Sequence, residues 1–540
     1  MNTPIPSKEA VPKRAGHRLG FLAGVAILVA GALALVHLQP ELETNLKVWA
    51  TLAIALVGSV LALIWFVFLS RLRWSLRLAG LGILAVAVFG VRQVFRIDGT
   101  VNGTGWPRWV LKGSEDADRR DLSKAAEPVG TGGGGDTVTT NAVEVIPMGL
   151  ADTPQFLGPR RDGVLRGSNL ARDWSTTPPR ELWRQPVGGG WSSFAVLGAR
   201  AFTQEQRGED EWVSCYEALT GRLIWAQTNH ARFFQWQGGE GPRATPTVDR
   251  GRVFAIGGTG VLDCLEASTG RRIWTRDVLV ENGLPNLTWG VSCSPLLVDD
   301  AVIVTGGAAA RATLVAYHRE TGAPLWQSGT DKPSYASPVV ATLAGKRLVL
   351  SVNMSSLTGH DPASGTVLLD VPWSPGDRPK ASQPVVLEGD RVFLSAGYGM
   401  GCVMLQVKAD PDPNADGRLT TEELWRNRMM KTQFNSAAYR DGNLFGLDDG
   451  LLACVDAATG ERRWKDGRFG SGQSLIVDDL VLIQSERGPV VLAAADPEGF
   501  RELGRLPALD GKTWNYPTLA GRYLLVRNDR EAACYELPVK

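Results

Sequence analysis

The 540-residue sequence has no surplus of either charge, with 57 Lys and Arg against 56 Asp and Glu. That balance removes the electrostatic footprint of a nucleic-acid binder. Histidine is scarce at five residues, and neither the histidines nor the six cysteines fall into a metal-binding or Ser/His/Asp pattern. Zinc chemistry and triad hydrolysis therefore lack their ligands. No two cysteines are adjacent, and the first is Cys215. Near the front, charge itself is missing. Residues 19–38 contain no Asp, Glu, Lys or Arg, and neither do the 23 residues between Lys47 and Arg71. Both runs are long enough to cross a bilayer. A third run, 78–91, has 14 residues between Arg77 and Arg92. Arginines at both ends can snorkel, so it is read as a third span.

Charge around these runs is uneven. Lys8, Lys13, Arg14 and Arg18 precede the first, Arg71, Arg73 and Arg77 separate the second from the third, and the loop between the first two holds Glu41, Glu43 and Lys47. Positive-inside logic puts the N-terminus in the cytoplasm, and three spans deliver the following chain to the periplasm. Without the third span that chain would stay cytoplasmic. A cleavable signal peptide ending near Ala32-Leu-Ala34 would explain the first run but not the second. The expectation is a membrane domain over 1–96, with transmembrane helices at about 19–38, 48–70 and 76–95. Residues 97–153 are poor in apolar periodicity and include Thr131-Gly-Gly-Gly-Gly-Asp136, which reads as a flexible linker.

What the rest has in quantity is repetition. Cys215-Tyr-Glu-Ala-Leu-Thr-Gly-Arg-Leu-Ile-Trp225, Cys264-Leu-Glu-Ala-Ser-Thr-Gly-Arg-Arg-Ile-Trp274 and Cys454-Val-Asp-Ala-Ala-Thr-Gly-Glu-Arg-Arg-Trp464 are near copies. Each reads as a strand, a tight Thr-Gly turn and a second strand carrying tryptophan. Trp225 and Trp274 are 49 residues apart, and degenerate copies extend the series to Trp183, Trp326, Trp373 and Trp425. Periods of about 40–50 residues belong to four-stranded propeller blades. Apolar hairpins ahead of these turns open at Ser193, Thr245, Ser294, Ser337, Gln383, Ser436, Gln473 and Tyr516, which predicts eight blades over 154–540. The chain ends on a third strand at 534–540, whereas 181–187 is a Trp strand with no blade before it. Pairing the two closes the ring and covers its open edges. Cys215, Cys264, Cys454 and Cys534 share one strand position in different blades. That separation is too large for a bridge, so they read as small buried apolar residues.

The Ala-x-Thr-Gly-x-x-x-Trp segments at 218–225, 267–274 and 457–464 resemble the repeats of PQQ-type (pyrroloquinoline quinone) β-propellers. That superfamily includes quinoprotein alcohol dehydrogenases and the outer-membrane assembly factor BamB. Gln155-Phe-Leu-Gly-Pro-Arg-Arg-Asp-Gly163 is similar to a lead-in of related bacterial proteins. The resemblance covers about 153–540 and implies an all-β, eight-bladed PQQ-like propeller whose tryptophans dock blade to blade. The vicinal disulfide of many alcohol-oxidising members has no counterpart here. Neither a calcium-binding Glu/Asn pair nor a catalytic Asp falls on a matching motif. BamB-type factors are lipoproteins, and with Cys215 as the first cysteine no lipid attachment site is expected.

Two places carry candidate chemistry. Asp412, Asn414, Asp416, Gly417, Arg418, Thr420 and Glu423 match positions 1, 3, 5, 6, 7, 9 and 12 of an EF-hand loop, with Arg418 offering its carbonyl. This marks a candidate Ca²⁺ site, although Pro411, Pro413 and the following Leu424-Trp425 disfavour the flanking helices. The bland alternative is a solvated acidic turn. The second place is the mouth of the channel. Trp191, Arg243, Tyr335, Phe434 and Trp514 precede the hairpin openings, with Trp289, Lys380 and Asn515 nearby. They are expected to form a collar that binds a ligand or partner, or else simple packing. The resemblance favours a membrane-anchored periplasmic scaffold that binds protein partners without catalysis. The alternative is a membrane-bound dehydrogenase oxidising a small alcohol or sugar, with PQQ stacked in the collar.

Overall fold

The computed structural model describes residues 16–39, 44–70, 72–101, 106–112, 152–373, 378–412 and 416–540. The glycine run at 131–136 and Asn414 lie outside them. The chain divides into two compact units, the first built from 1–98 and 104–112.

In this first unit α1 spans Gly16–Leu38, α2 Thr44–Ile64 and α3 Trp74–Val94. A π-helical turn, Trp65–Leu69, continues α2. Three helical stretches, Gly20–Leu38, Leu46–Leu69 and Trp74–Val94, are long and apolar enough to cross a membrane. The short third run thus belongs to a 21-residue helix. Arg77 satisfies carbonyls left open where the chain breaks between α2 and α3. Its guanidinium donates to Val67 O at 2.6 Å and Leu72 O at 3.0 Å, and also to Ser70 O. Beyond α3 the stretch read as linker instead begins with a hairpin of Phe95–Val101 and Trp106–Leu111. Its Trp106 and Trp109 give a strand propensity that apolar periodicity alone did not reveal.

The second unit is the propeller. Seven sheets are four-stranded and one is five-stranded, giving eight blades. Blades 1 to 6 occupy residues 195–229, 247–277, 296–328, 339–372, 385–427 and 438–466. Blade 7 spans 473–506, with Val164–Leu165 as a fifth, parallel strand. Blade 8 takes three strands from 518–536, and Arg180–Pro186 pairs with Glu531–Glu536 to complete it. First strands of adjacent blades touch one another, as between blades 1 and 2 and blades 8 and 1, so they line the axis. Apolar core fills the seams between blades. Phe202, Val213 and Trp225 of blade 1, for example, pack with Val253, Ala255 and Leu265 of blade 2.

The repeated turn is explained by what it meets. Outer-strand tryptophans lie over the turn between the third and fourth strands of the next blade, a Thr-Gly turn for Trp183, Trp225, Trp274 and Trp425. Trp183 Nε1 donates to Ala218 O at 2.9 Å, Trp225 Nε1 to Ala267 O at 3.1 Å, and Trp425 Nε1 to Ala457 O at 3.1 Å. Gly270 has φ +75° and faces that ring so closely that a Cβ would stand 2.5 Å from Trp225. Backbone angle and ring contact therefore both demand glycine. Blade 4 departs from the expected series. Leu369, four residues beyond Gly365, pairs with Gly359 in the tryptophan register. Trp373 lies past the end of that strand, which corrects its place in the series. In blade 7 the register holds Gly504, and Trp174 from the lead-in fills the space, 2.7 Å from where a Cβ would be. In all eight blades the pairing of third and fourth strands shifts at the same place, with the extra residue on the fourth strand, and in four of them the shift falls directly after Cys215, Cys264, Cys454 and Cys534. All six cysteines are buried free thiols, and burial pushes Cys215 up to about 12.

Candidate functional site

The collar residues stand in connections from an outer strand to the next inner strand. Connections between second and third strands reach the same end, and the Thr-Gly turns lie at the opposite one. Trp514 is packed between Trp191, 5.1 Å away, and Phe434, 5.0 Å away. Lys512 Nζ sits 3.7 Å from the Trp514 ring centroid and 4.7 Å from that of Trp191. The polar edges are taken as well. Trp514 Nε1 donates to Glu486 Oε1 at 2.8 Å, and Trp191 Nε1 to Gly238 O at 2.6 Å. A second aromatic pair, Trp289 against Tyr335 at 5.5 Å, packs with Leu287 and Met354.

Gly238 lies between the two groups. A Cβ there would be 3.3 Å from Arg243 and 3.4 Å from Trp289. It belongs to a small hairpin inserted after blade 1, whose strands are Phe234–Gln235 and Gly239–Glu240. Arg243 donates to Gly239 O at 2.8 Å and to Gly241 O, and its guanidinium lies 4.5 Å from the Phe233 ring. Burial lowers its pKa, opposed by the carboxylates of Glu211 and Glu240. The structure thus gathers Trp191, Arg243, Trp289, Tyr335, Phe434 and Trp514 around the mouth. It turns the other two inward. Lys380 is 1 % exposed and its ammonium donates to Met354 O and Arg378 O. Asn515, also 1 % exposed, donates to Ser192 O at 2.8 Å.

Three collar groups escaped the sequence reading. Lys512 stands only two residues before Trp514 and was visible in principle. Glu486, whose carboxylate also accepts from Ser471 N at 2.9 Å, comes from the preceding blade and left no local signal. Burial raises its pKa. Glu211, 3 % exposed, accepts from Gly258 N at 3.0 Å. Burial lifts it to about 7 against the opposing pull of that N–H and of Arg243.

The acidic loop joins the long strands Gly401–Ala409 and Leu419–Asn427. Asp412, Asp416 and Arg418 are exposed, and left-handed angles at Asp416 and Gly417 make the turn. Arg418 O, the expected carbonyl ligand, accepts from Asp410 N at 3.1 Å and so closes the hairpin. Thr420 and Glu423 stand on the exiting strand, where three residues span roughly 10 Å. Glu423 is paired with Arg426 at 2.7 Å. An exiting strand in place of a helix therefore leaves Thr420 and Glu423 spread out, rather than folded back over Asp412 and Asp416 around one point. Among the described residues no group of three or more His, Cys, Asp or Glu is arranged to hold a metal ion.

Eight blades, several of them carrying this turn signature, give the chain the fold of a PQQ-like repeat β-propeller. A family model described as outer membrane protein assembly factor BamB matches residues 209–466. The BamB of Shewanella oneidensis is 23 % identical over 375 residues, covering 60 % of this chain and 91 % of its own length. That of Burkholderia pseudomallei is 24 % identical over 283 residues, covering 50 % of this chain and 66 % of its own. Among solved structures, a europium-containing methanol dehydrogenase matches with a TM-score of 0.53 at 12 % identity, over 72 % of this chain and 98 % of its own.

The collar does not fit PQQ. Both neighbours of Trp514 are its own aromatic companions, with Lys512 over the ring. The carboxylate of Glu486 is committed to Trp514 and Ser471. A stacked quinone would have to displace these contacts.

Proposed function

We propose that the chain is a membrane-anchored, non-catalytic binding module. Its three helices sit in the inner membrane, and its propeller engages protein partners in the periplasm, in the manner the name of the BamB assembly factors implies. The observation that carries this reading is the contrast between mouth and rim. The mouth is filled by its own side chains, whereas the hairpin beside it presents Phe234 and Trp236, 49 % and 46 % exposed. Aromatic anchors on a rim suit surface recognition better than enclosure of a small molecule. The charge pattern around the helices, with basic residues before α1 and between α2 and α3, supports the orientation.

A photo-crosslinking residue placed at Trp236 in cell membranes should give a discrete adduct identifiable by mass. The same residue at Thr220, in a Thr-Gly turn at the opposite end of blade 1, should give none. Replacing Phe234 and Trp236 with Ala should abolish binding of the identified partner. Equal labelling from both positions, or turnover of sugars or alcohols when PQQ and Ca²⁺ are supplied, would overturn the reading.

A further inference from the structure

The lead-in crosses the propeller at the end away from the collar. Thr153 pairs with Val196 of blade 1, Pro154 O accepts from Val248 N of blade 2, and Gly163 O accepts from Ile476 N of blade 7. Between these anchors Arg161 adopts φ +55°, a left-handed conformation costly for a side-chain-bearing residue. That backbone strain is tolerated while the side chain is 5 % exposed.

Its guanidinium donates to Ser294 O and Pro295 O of blade 3, both at 2.9 Å, and to Gln155 Oε1 at 3.3 Å. All three acceptors are neutral. Nε has no partner, and among the described residues no carboxylate pairs with Arg161. The neighbouring Cys293 does not supply the missing charge. Its thiol accepts from Thr305 N at 3.1 Å, and burial raises its pKa, so it stays neutral. Burial of Arg161 drives its own pKa down to about 10, the direction expected of a cation removed from water.

Ser294 belongs to a ring of equivalent residues that open the eight inner strands. Hydroxyls of this ring tie blade to blade: Ser193 N donates to Thr245 Oγ1 at 3.1 Å, Thr245 N to Ser294 Oγ at 3.0 Å, and Ser294 N to Ser337 Oγ at 2.9 Å. Gln383 holds the same register in blade 5. Its backbone N–H joins the belt through Ser436 Oγ at 3.0 Å, yet its buried carboxamide has no partner on either Nε2 or Oε1. Burying a cation without a counter-charge is unfavourable, and unpartnered amide groups add to that cost. Arg161 is bonded to Ser294 O, and Gln383 is the residue of blade 5 in the register of Ser294, so both defects belong to this ring.

We propose that the propeller axis holds a small monovalent anion of the chloride class at Arg161, with the Gln383 amide as a second donor on the same ring. Such an ion balances the guanidinium and accepts from Nε. It makes the lead-in, which shares no turn signature with the blades, an anion-locked strap across the base.

The test is thermal unfolding of the full chain in detergent, followed by tryptophan fluorescence. Sodium chloride, bromide and nitrate are titrated against sodium gluconate, whose anion is too large for a buried site, at matched ionic strength. The parent should show a saturable upward shift of melting temperature with the three small anions and none with gluconate. Arg161→Met should lose the shift, and Gln383→Leu should move its midpoint to higher anion concentration. Should Arg161→Met fail to fold, bromide soaked into crystals of the parent should give an anomalous peak within hydrogen-bond distance of Arg161 Nε. Equal melting temperatures in all salts with no such peak, or an undiminished shift in Arg161→Met, overturns the proposal and leaves water on the axis.

Discussion

Glu211 shows how much one position can depend on residues far from it in sequence. It lies beneath the collar, bonded to Gly258 N, and its carboxyl is lifted from 4.5 to about 7 by burial. The folded protein therefore holds a proton that the unfolded chain has released between those values. Its contribution is fullest below about pH 4.5 and is lost as pH rises through 7. The ceiling is roughly 3 kcal/mol for a shift of this size. Glu211→Gln keeps an acceptor for Gly258 N and removes the titration. Its melting temperature should hold level between pH 5 and 8 relative to the parent, whose own should fall across that interval. Parallel curves would assign the titration elsewhere. None of this was legible in the sequence, because Glu211 looks like any strand glutamate until Gly258 and Arg243 are placed beside it. Lys380 and Asn515 failed as collar residues for the same reason. Their acceptors, Met354 O and Ser192 O, lie 26 and 323 residues away.

At the scale of the element, the turn signature was readable because its causes are local. Thr-Gly needs a left-handed glycine, and the tryptophan four residues later docks on the next copy of the same turn. Counting tryptophans misled only where one occurs out of register, as at Trp373 of blade 4, and where one is supplied from outside, as in blade 7. Trp174, 4 % exposed among Leu492, Leu503 and Leu506, fills the place that Gly504 leaves open. Trp174→Ala should behave as loss of a blade tryptophan and cost about 3–5 kcal/mol, read from the denaturant midpoint at unchanged slope. Gly504→Ala should destabilise as well, by driving a methyl group into the indole. If both are neutral, the lead-in does not stand in for the missing tryptophan. The acidic loop shows the limit of spacing at this same scale. Its ligand spacing is that of an EF-hand, but the strand Leu419–Asn427 carries Thr420 and Glu423 away from the turn.

At the scale of the whole molecule, the sequence disclosed eight blades and the way the ring closes, since both follow from where copies begin and end. It did not disclose the charges that seal the seam. Glu205 of blade 1 is fully buried, and it accepts from Gly188 N at 2.7 Å, Tyr216 Oη at 2.6 Å and Arg207 at 2.9 Å. From blade 8, Arg527 donates to Thr203 Oγ1, Gln204 O and Gly188 O at 2.6, 2.7 and 2.9 Å. Burial alone would raise the Glu205 pKa, but Arg207 and Arg527, with the Tyr216 hydroxyl and the Gly188 N–H, hold it at about 2. The sign is opposite to that of Glu211. This contribution is complete above about pH 4.5 and is lost as pH falls toward 2. The two carboxylates therefore press from both sides, and the propeller should be most stable in mildly acidic solution. Glu205→Gln removes the charge that balances two buried guanidinium groups and should cost about 3–5 kcal/mol at neutral pH. It should cost far less at pH 3, where the parent has begun to lose the same interaction. Chemical denaturation at the two pH values measures both, and an equal penalty at each would show that Glu205 acts through packing rather than charge.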